Sequence, residues 1–184
     1  ETSMGLTPLG GIPMGTRSGD LDPSVVTYLM KKEGWTAEEA ETILNKESGV
    51  FGMSMVSVDF RDIEAEALAG GTHAQLALDV YHYLVAAYVA KCAVAMEGID
   101  VITFTAGVGE KSPYSRSEIC KYLEYLGVEI SGKANLARGE EAEISTPESK
   151  VKVYVVPTNE ELMIAKETEK VIKKIRKENE KWKY

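Results

Sequence analysis

Two adjacent carboxylates, Glu160 and Glu161, open the stretch PTNEELM, directly after an apolar run that stops at Pro157. A lone arginine, Arg17, sits between glycines in MGTRSGDLDP, with Asp20 and Asp22 close by. A third stretch, TFTAGVGEKS at 103–112, runs from aromatic and β-branched residues into Gly107-Val108-Gly109. Each has an ordinary structural explanation. Acidic residues in a first helical turn complement the helix dipole for about 0.3–1 kcal/mol each, with Thr158 or Asn159 as cap. An arginine beside aspartates pairs with them at the surface, and glycines serve tight turns. Each also has a chemical one. Magnesium is bound through one or two carboxylates plus substrate phosphates, so one glutamate could orient the ion or its waters. A planar guanidinium suits a phosphoryl or carboxylate group. Glycines after a strand let the backbone approach a phosphate or nucleoside. A nucleotide cradle, a metal-holding carboxylate and a cation are the parts phosphoryl transfer needs, because its catalysis is mainly positioning and charge neutralisation. The glycine stretch is not a Walker A loop, since no Gly-Lys-Ser/Thr follows at the required spacing.

The elements that must position these residues are partly legible. Asp22, Pro23 and Gly34 bracket a helix over 23–33, with Lys31 and Lys32 in its last turn. Thr36 and Glu39 form a capping box that opens a second helix to about Glu47. SGVFGMSMVSVD reads as a glycine-punctuated break with at most a short extended piece. FRDIEAEALAGG reads as a short helix, and Thr72 opens a long one to about Glu97. The second half changes character. DVITFTAG predicts a buried strand, SPYSRSEICKYLEYLG a helix, GVEI a short strand, KVKVYVVP a further strand, and the rest a closing helix with a solvated lysine-rich end. Strand–helix–strand–helix in this order implies an α/β fold, with parallel strands and helices on the faces. Ligands in such sheets bind beyond the carboxyl ends of the strands, where each of the three stretches is expected to lie.

The 184 residues suit one domain, 1–184, and 44% hydrophobic with 27% charged residues is an ordinary globular balance. A net charge of −8 argues against nucleic acid or an anionic membrane as partner. The most apolar stretch, 84–96, is interrupted by Lys91 and too short for a bilayer span. Cys92 and Cys120 lack the spacing of a disulfide framework or zinc site, which with the acidic charge favours the cytoplasm. His73 and His82 show no ligand pattern and are read as structural. Tyr81, Tyr83 and Tyr88 on the long helix are read as core or dimer interface.

Taken together, TSMGLTPLGGIPMGTRSGDLDP, SVDFRDIEAEA, AQLALDVYHYLVAAYVA, FTAGVGEKS and RGEEAEISTPESKVKVYVVPTNEELMIA resemble the acetate kinase family over nearly the whole chain. The resemblance implies Mg²⁺-dependent phosphoryl transfer between ATP and acetate, giving ADP and acetyl phosphate. It implies the superfamily of sugar kinases, actin and heat-shock chaperones, with ribonuclease H-like domains, and a homodimer. Residue by residue, Arg17 matches the arginine that stabilises the phosphoryl group in flight, and Glu160, rather than Glu161, the carboxylate that positions Mg²⁺. Asp59, Phe60 and Arg61 match residues around the adenosine, and Gly107, Val108 and Gly109 the nucleotide-binding turn. Lys111 stands where the family pattern has asparagine, which changes one adenine-side contact. Family members are about twice as long. The chain is therefore expected to be the C-terminal nucleotide-binding domain, without the first two strands of its sheet and without the N-terminal half as its partner, and to be inactive alone. Two alternatives stand beside this: half of a propionate or butyrate kinase, and a non-catalytic nucleotide-binding or dimerisation fragment.

Overall fold

The computed structural model describes residues 2–181. The first helix, α1 (Pro23–Glu33), begins as expected: the Asp22 carboxylate accepts from the Ser24 N–H at 2.8 Å, Pro23 takes the first position, and Gly34 closes the helix in the left-handed region. Helix α2 (Ala37–Lys46) carries the full capping box. The Glu39 N–H donates to Thr36 Oγ1 at 3.2 Å, and the Thr36 N–H donates to Glu39 Oε2 at 2.8 Å. Thr36→Ala removes one of those bonds and is expected to lower stability by about 1 kcal/mol in a denaturant titration with unchanged slope.

The expected break at 48–59 instead holds a short helix, α3 (Gly49–Ser54). The reason is tertiary. The Val50 and Phe51 N–H groups, unsatisfied inside a helix start, donate to Met14 and Gly15 carbonyls at 3.0 and 2.9 Å. Helix α4 (Phe60–Leu68) is capped by Asp59, and α5 (Thr72–Ala95) runs 24 residues, on the order of 36 Å. One end of α5 packs Ala74 and Leu78 against Val50 and Ile63. Farther along, Ala86 joins the core under the sheet. Among the described residues no helix is long and apolar enough to cross a membrane.

The sheet has three strands, β1 (Val101–Phe104), β2 (Ala142–Glu143) and β3 (Lys152–Val155), in the order β1-β3-β2. The pairing of β1 with β3 is parallel, as expected, with Phe104 opposite Val155. Strand β2 was not anticipated and lies antiparallel to β3. Three further expectations are corrected. GVEI forms only isolated bridges, Val128 to Val151 and Ile130 to Ser145, rather than a strand. The helix expected over 112–127 divides into α7 (Pro113–Lys121) and a 3₁₀ turn at Glu124–Leu126. Nor is β1 buried on both faces: Ile102 and Phe104 face the core, whereas Val101 on the other face is 50% exposed. The burial alternates because only one face of this sheet is covered. Helix α6 (Ala106–Lys111) follows β1, and α8 (Glu160–Lys181) follows β3. The end of the solvated helix at residues 182–184 lies outside the described residues.

Candidate functional site

Because β1 and β3 are parallel and end in register, the chain leaves the sheet twice at one level. The Val156 N–H donates to the Phe104 carbonyl at 2.9 Å, and the two exits are then joined by side chains. Thr158 Oγ1 lies 2.7 Å from Thr105 Oγ1 and accepts from the Ala106 N–H at 3.0 Å. The Glu110 carboxylate, from α6, accepts from the Thr158 N–H, the Thr158 hydroxyl and the Ala106 N–H. These bonds, the Thr158 N–H foremost, hold its carboxyl below the usual range. Ala106 itself sits at φ 57°, a left-handed conformation that a non-glycine residue adopts at a cost.

Gly107-Val108-Gly109 therefore does not form an open glycine turn. The three residues are the middle of the short helix α6. The glycines still have a packing role, since a Cβ on Gly109 would meet the Phe104 backbone at 3.4 Å. Lys111 ends α6 and is exposed.

Across the same edge, α8 begins at Glu160. Asn159, not Thr158, is the cap: its Oδ1 accepts from the Leu162 N–H at 3.0 Å. This frees Thr158 for the contacts above. Glu160 and Glu161 are both exposed, and neither has an ion-pair partner among the described residues. A solvated carboxylate at a strand's carboxyl end fits a magnesium ion that keeps most of its waters and takes its other ligands from substrate phosphates. It does not make an all-protein cage, and no cluster of three or more potential ligand side chains exists among the described residues.

Arg17 lies in a loop fixed by backbone bonds. Beyond the Met14 and Gly15 carbonyls held by α3, the Ser48 N–H donates to the Thr16 carbonyl and the Ser18 N–H to the Leu44 carbonyl, both at 3.0 Å. The surface pairing of Arg17 with aspartates does not form. Asp20 accepts from the Gly11 N–H at 2.6 Å and the Tyr88 hydroxyl at 2.9 Å, which lower its pKa in that order, and Asp22 caps α1. The guanidinium reaches only Met14 Sδ, at 3.5 Å, and has no carboxylate partner among the described residues. A positioned arginine without a counter-ion is available to an anionic ligand.

A cleft of about 440 Å³ opens between the loop before Arg17 and the end of β1. Its lining includes Met14 and Gly15 beside Arg17, Thr105, Val108 and Gly109 at the end of β1, and Phe60. Of the expected residues, Phe60, Val108 and Gly109 line the cleft; Arg17, Asp59, Arg61, Gly107 and Lys111 lie within two residues of its lining in sequence, and Glu160 is not part of it. The Phe60 ring packs edge-on against Tyr81 at 4.7 Å. Asp59 caps α4 and pairs at the surface with Arg61, whose guanidinium draws the Asp59 carboxyl down to about 2.

Comparison with known proteins decides the kinship. Residues 1–166 match the acetokinase family. The chain belongs to the acetokinase family. It is 59% identical to the acetate kinase of Fervidobacterium nodosum over 176 residues, and 60% identical to that of Thermosipho melanesiensis. Each alignment covers 95% of this chain but 43% of the relative, so the chain spans less than half the length of these relatives. The crystal structure of Porphyromonas gingivalis acetate kinase superposes with a TM-score of 0.87 at 47% identity, covering 92% of this chain and 43% of that one. A propionate kinase from Francisella tularensis gives 0.82 at 39% identity, covering 89% and 41%.

In this acetokinase chain, the strongest polar groups near the cleft are ones that sequence reasoning missed. Arg116 is fully buried, with burial lowering its pKa, and donates five hydrogen bonds. Glu64 accepts from Ser112 Oγ at 2.5 Å, and Ser115 Oγ lies 3.0 Å from His82 Nε2. His82, read as structural, is indeed enclosed, at 1% exposure, with Tyr81 and Tyr114 against its ring. Of the other tyrosines, Tyr83 meets Tyr122 edge-on at the surface and Tyr88 donates to Asp20. Burial lowers the His82 pKa below its ordinary 6.5, so the unfolded chain binds the proton more tightly. Stability is therefore full above about pH 6.5 and falls as pH drops through that value toward the folded pKa. His82→Gln should flatten the midpoint-against-pH curve between pH 7 and 5, measured by thermal unfolding; an unchanged slope would remove His82 as its source.

Proposed function

We propose that this chain is the nucleotide-binding part of a kinase that transfers a phosphoryl group between ATP and acetate, giving ADP and acetyl phosphate. The observation that carries the proposal is the joining of the β1–α6 and β3–α8 exits at one sheet edge, beside a loop that offers an unpaired arginine. Close identity to acetate kinases over 95% of the chain supports it. On this proposal Gly107, Val108 and Gly109 lie against the nucleotide, with Asp59, Phe60, Arg61 and Lys111 on its adenosine side. Glu160 holds Mg²⁺ or its waters. When bound, the ion neutralises phosphate charge and aligns the transferring group. An acetate oxygen attacks the γ-phosphorus as the bond to the ADP oxygen breaks, and Arg17 neutralises charge on the oxygens of the phosphoryl group in transit.

The architecture belongs to the same proposal: a ribonuclease H-like C-terminal domain whose first two strands lie in the part of the relatives this chain does not span. The outer edge of β1, unpaired among the described residues, supports it. A homodimer through this domain and a cytoplasmic location are part of the proposal too, as expected from the family and from the acidic charge. A longer acyl substrate is a second reading, favoured by the likeness to the propionate kinase.

The test is acetyl phosphate formation, trapped with hydroxylamine. The chain alone with MgATP and acetate should give none, and adding the segment its relatives carry should restore turnover, with acetate ahead of propionate and butyrate. Robust turnover by the chain alone would contradict the division of the site. Nucleotide binding without turnover even in the completed enzyme would leave a binding module. In the completed enzyme, Glu160→Ala should raise the Mg²⁺ requirement by at least tenfold, the loss of about one charge-assisted contact, and Glu161→Ala should change it little. Equal effects would mean the two glutamates do not differ in role.

A further inference from the structure

Glu110 has no part in the chemistry above, yet its environment is the most constrained at this edge. It is 8% exposed, and a single carboxylate oxygen, Oε1, receives three hydrogen bonds: 2.7 Å from the Ala106 N–H, 2.7 Å from the Thr158 N–H and 2.9 Å from the Thr158 hydroxyl. A threonine has one hydroxyl hydrogen. With it given to Glu110, the Thr105 hydroxyl must be the donor in the 2.7 Å contact with Thr158. The hydrogen bonds therefore run in one direction, from both exits into one negative charge. On the other side of the same residue, the Glu110 carbonyl accepts from Arg116 Nη1 at 3.0 Å, fixing its main chain.

The ordinary alternative is a local cap, in which Glu110 satisfies the start of its own helix through Ala106. That explains one bond. The two to Thr158 cross 48 residues of sequence and serve no need of α6. They tie the left-handed Ala106, which opens the glycine segment, to the residue two positions before Glu160.

We propose that Glu110 is a positioning residue that locks the Gly107–Gly109 segment and the start of α8 into one unit, so that the nucleotide-facing backbone and the Glu160 carboxylate keep a fixed separation. The role in ligand binding rests on the proposed function; the coupling itself does not.

The coupling is read from two amides that do not touch the Glu110 side chain. The Ser112 N–H, bonded to the Val108 carbonyl, reports α6, and the Leu162 N–H, bonded to Asn159, reports α8. In hydrogen exchange on this chain, Glu110→Ala should speed both about tenfold, the loss of roughly one charge-assisted bond, with Ile102 and Val153 in the sheet unchanged. Thr158→Val, made on the other exit, should speed Ser112. Glu110→Gln keeps an acceptor oxygen and should fall between wild type and alanine; it and Thr158→Val carry the test if the alanine variant loses protection throughout. A second arm titrates MgADP. Glu110→Ala should weaken binding about tenfold, and Glu160→Ala should cost less in that background than in wild type. Faster exchange at Ser112 with Leu162 unmoved, or a Thr158→Val variant that leaves Ser112 unmoved, would reduce Glu110 to a local cap. Strict additivity of Glu110→Ala and Glu160→Ala would sever it from the ligand site. Failure of the wild-type chain to bind MgADP would count against the proposed function, and the exchange arm would still decide the coupling.

Discussion

Arg116→Met should lower the stability of this chain by about 4 kcal/mol, the range for stripping a buried charge site of its partner groups. The side chain is 0% exposed and has no carboxylate partner among the described residues; its donors go to amide and main-chain carbonyls. Nε donates to Asn135 Oδ1 at 2.8 Å, Nη1 to the Gly109 and Glu110 carbonyls at 2.8 and 3.0 Å, and Nη2 to the Asn135 and Ala137 carbonyls at 2.6 and 2.7 Å. The Gly109 carbonyl sits four residues before Pro113, which has no N–H to give it. Arg116 supplies the donor that α6 cannot find in its own helical ladder. Methionine fills much of the volume and leaves all five acceptors buried and unpaired. Chemical denaturation measures the loss; a change under 1 kcal/mol would mean that water takes over the acceptors.

Gly49→Ala is expected to cost about 3 kcal/mol and to displace the Arg17 loop. Gly49 has φ 62°, where an L-residue alone is penalised by roughly 1–2 kcal/mol. A Cβ there would lie 2.2 Å from the Met14 carbonyl oxygen and 2.6 Å from that of Arg17. Neither atom is the mobile tip of a side chain, so the loop must move, taking with it the bonds from Val50 and Phe51. The variant should therefore lose stability and nucleotide-dependent function together, whereas Arg17→Ala should lose function alone. Retained function in a destabilised Gly49→Ala would show that the Arg17 position tolerates a shifted loop.

Locally encoded features were legible in the sequence. The α1 start at Asp22-Pro23 and the Thr36–Glu39 capping box need only neighbours in the chain, and both form. The parallel pairing of β1 and β3 followed from the alternation of strands and helices. What was misread depends on distant partners. The segment at 49–54 is helical because its first N–H groups find carbonyls more than 30 residues away. Gly107-Val108-Gly109 reads as a turn by composition, yet Glu110 and Arg116 hold it as a helix from either end. The site divides in the same way. Glu160 and Arg17 stood out because their types and surroundings suggest chemistry, and both lack ion-pair partners among the described residues. Glu110 and Arg116 gave no signal, and Thr158 stood out only as a candidate helix cap, because a supporting residue is defined by what it touches. Arg116, one cation in a polar helix, had no feature to mark it as buried.

The most direct test of the central claim is a calorimetric titration of this chain with ADP, with and without Mg²⁺. The account predicts saturable binding of one nucleotide per chain that tightens with Mg²⁺, and loss of that tightening in Glu160→Ala. No detectable nucleotide binding, or binding indifferent to both Mg²⁺ and Glu160, would contradict it.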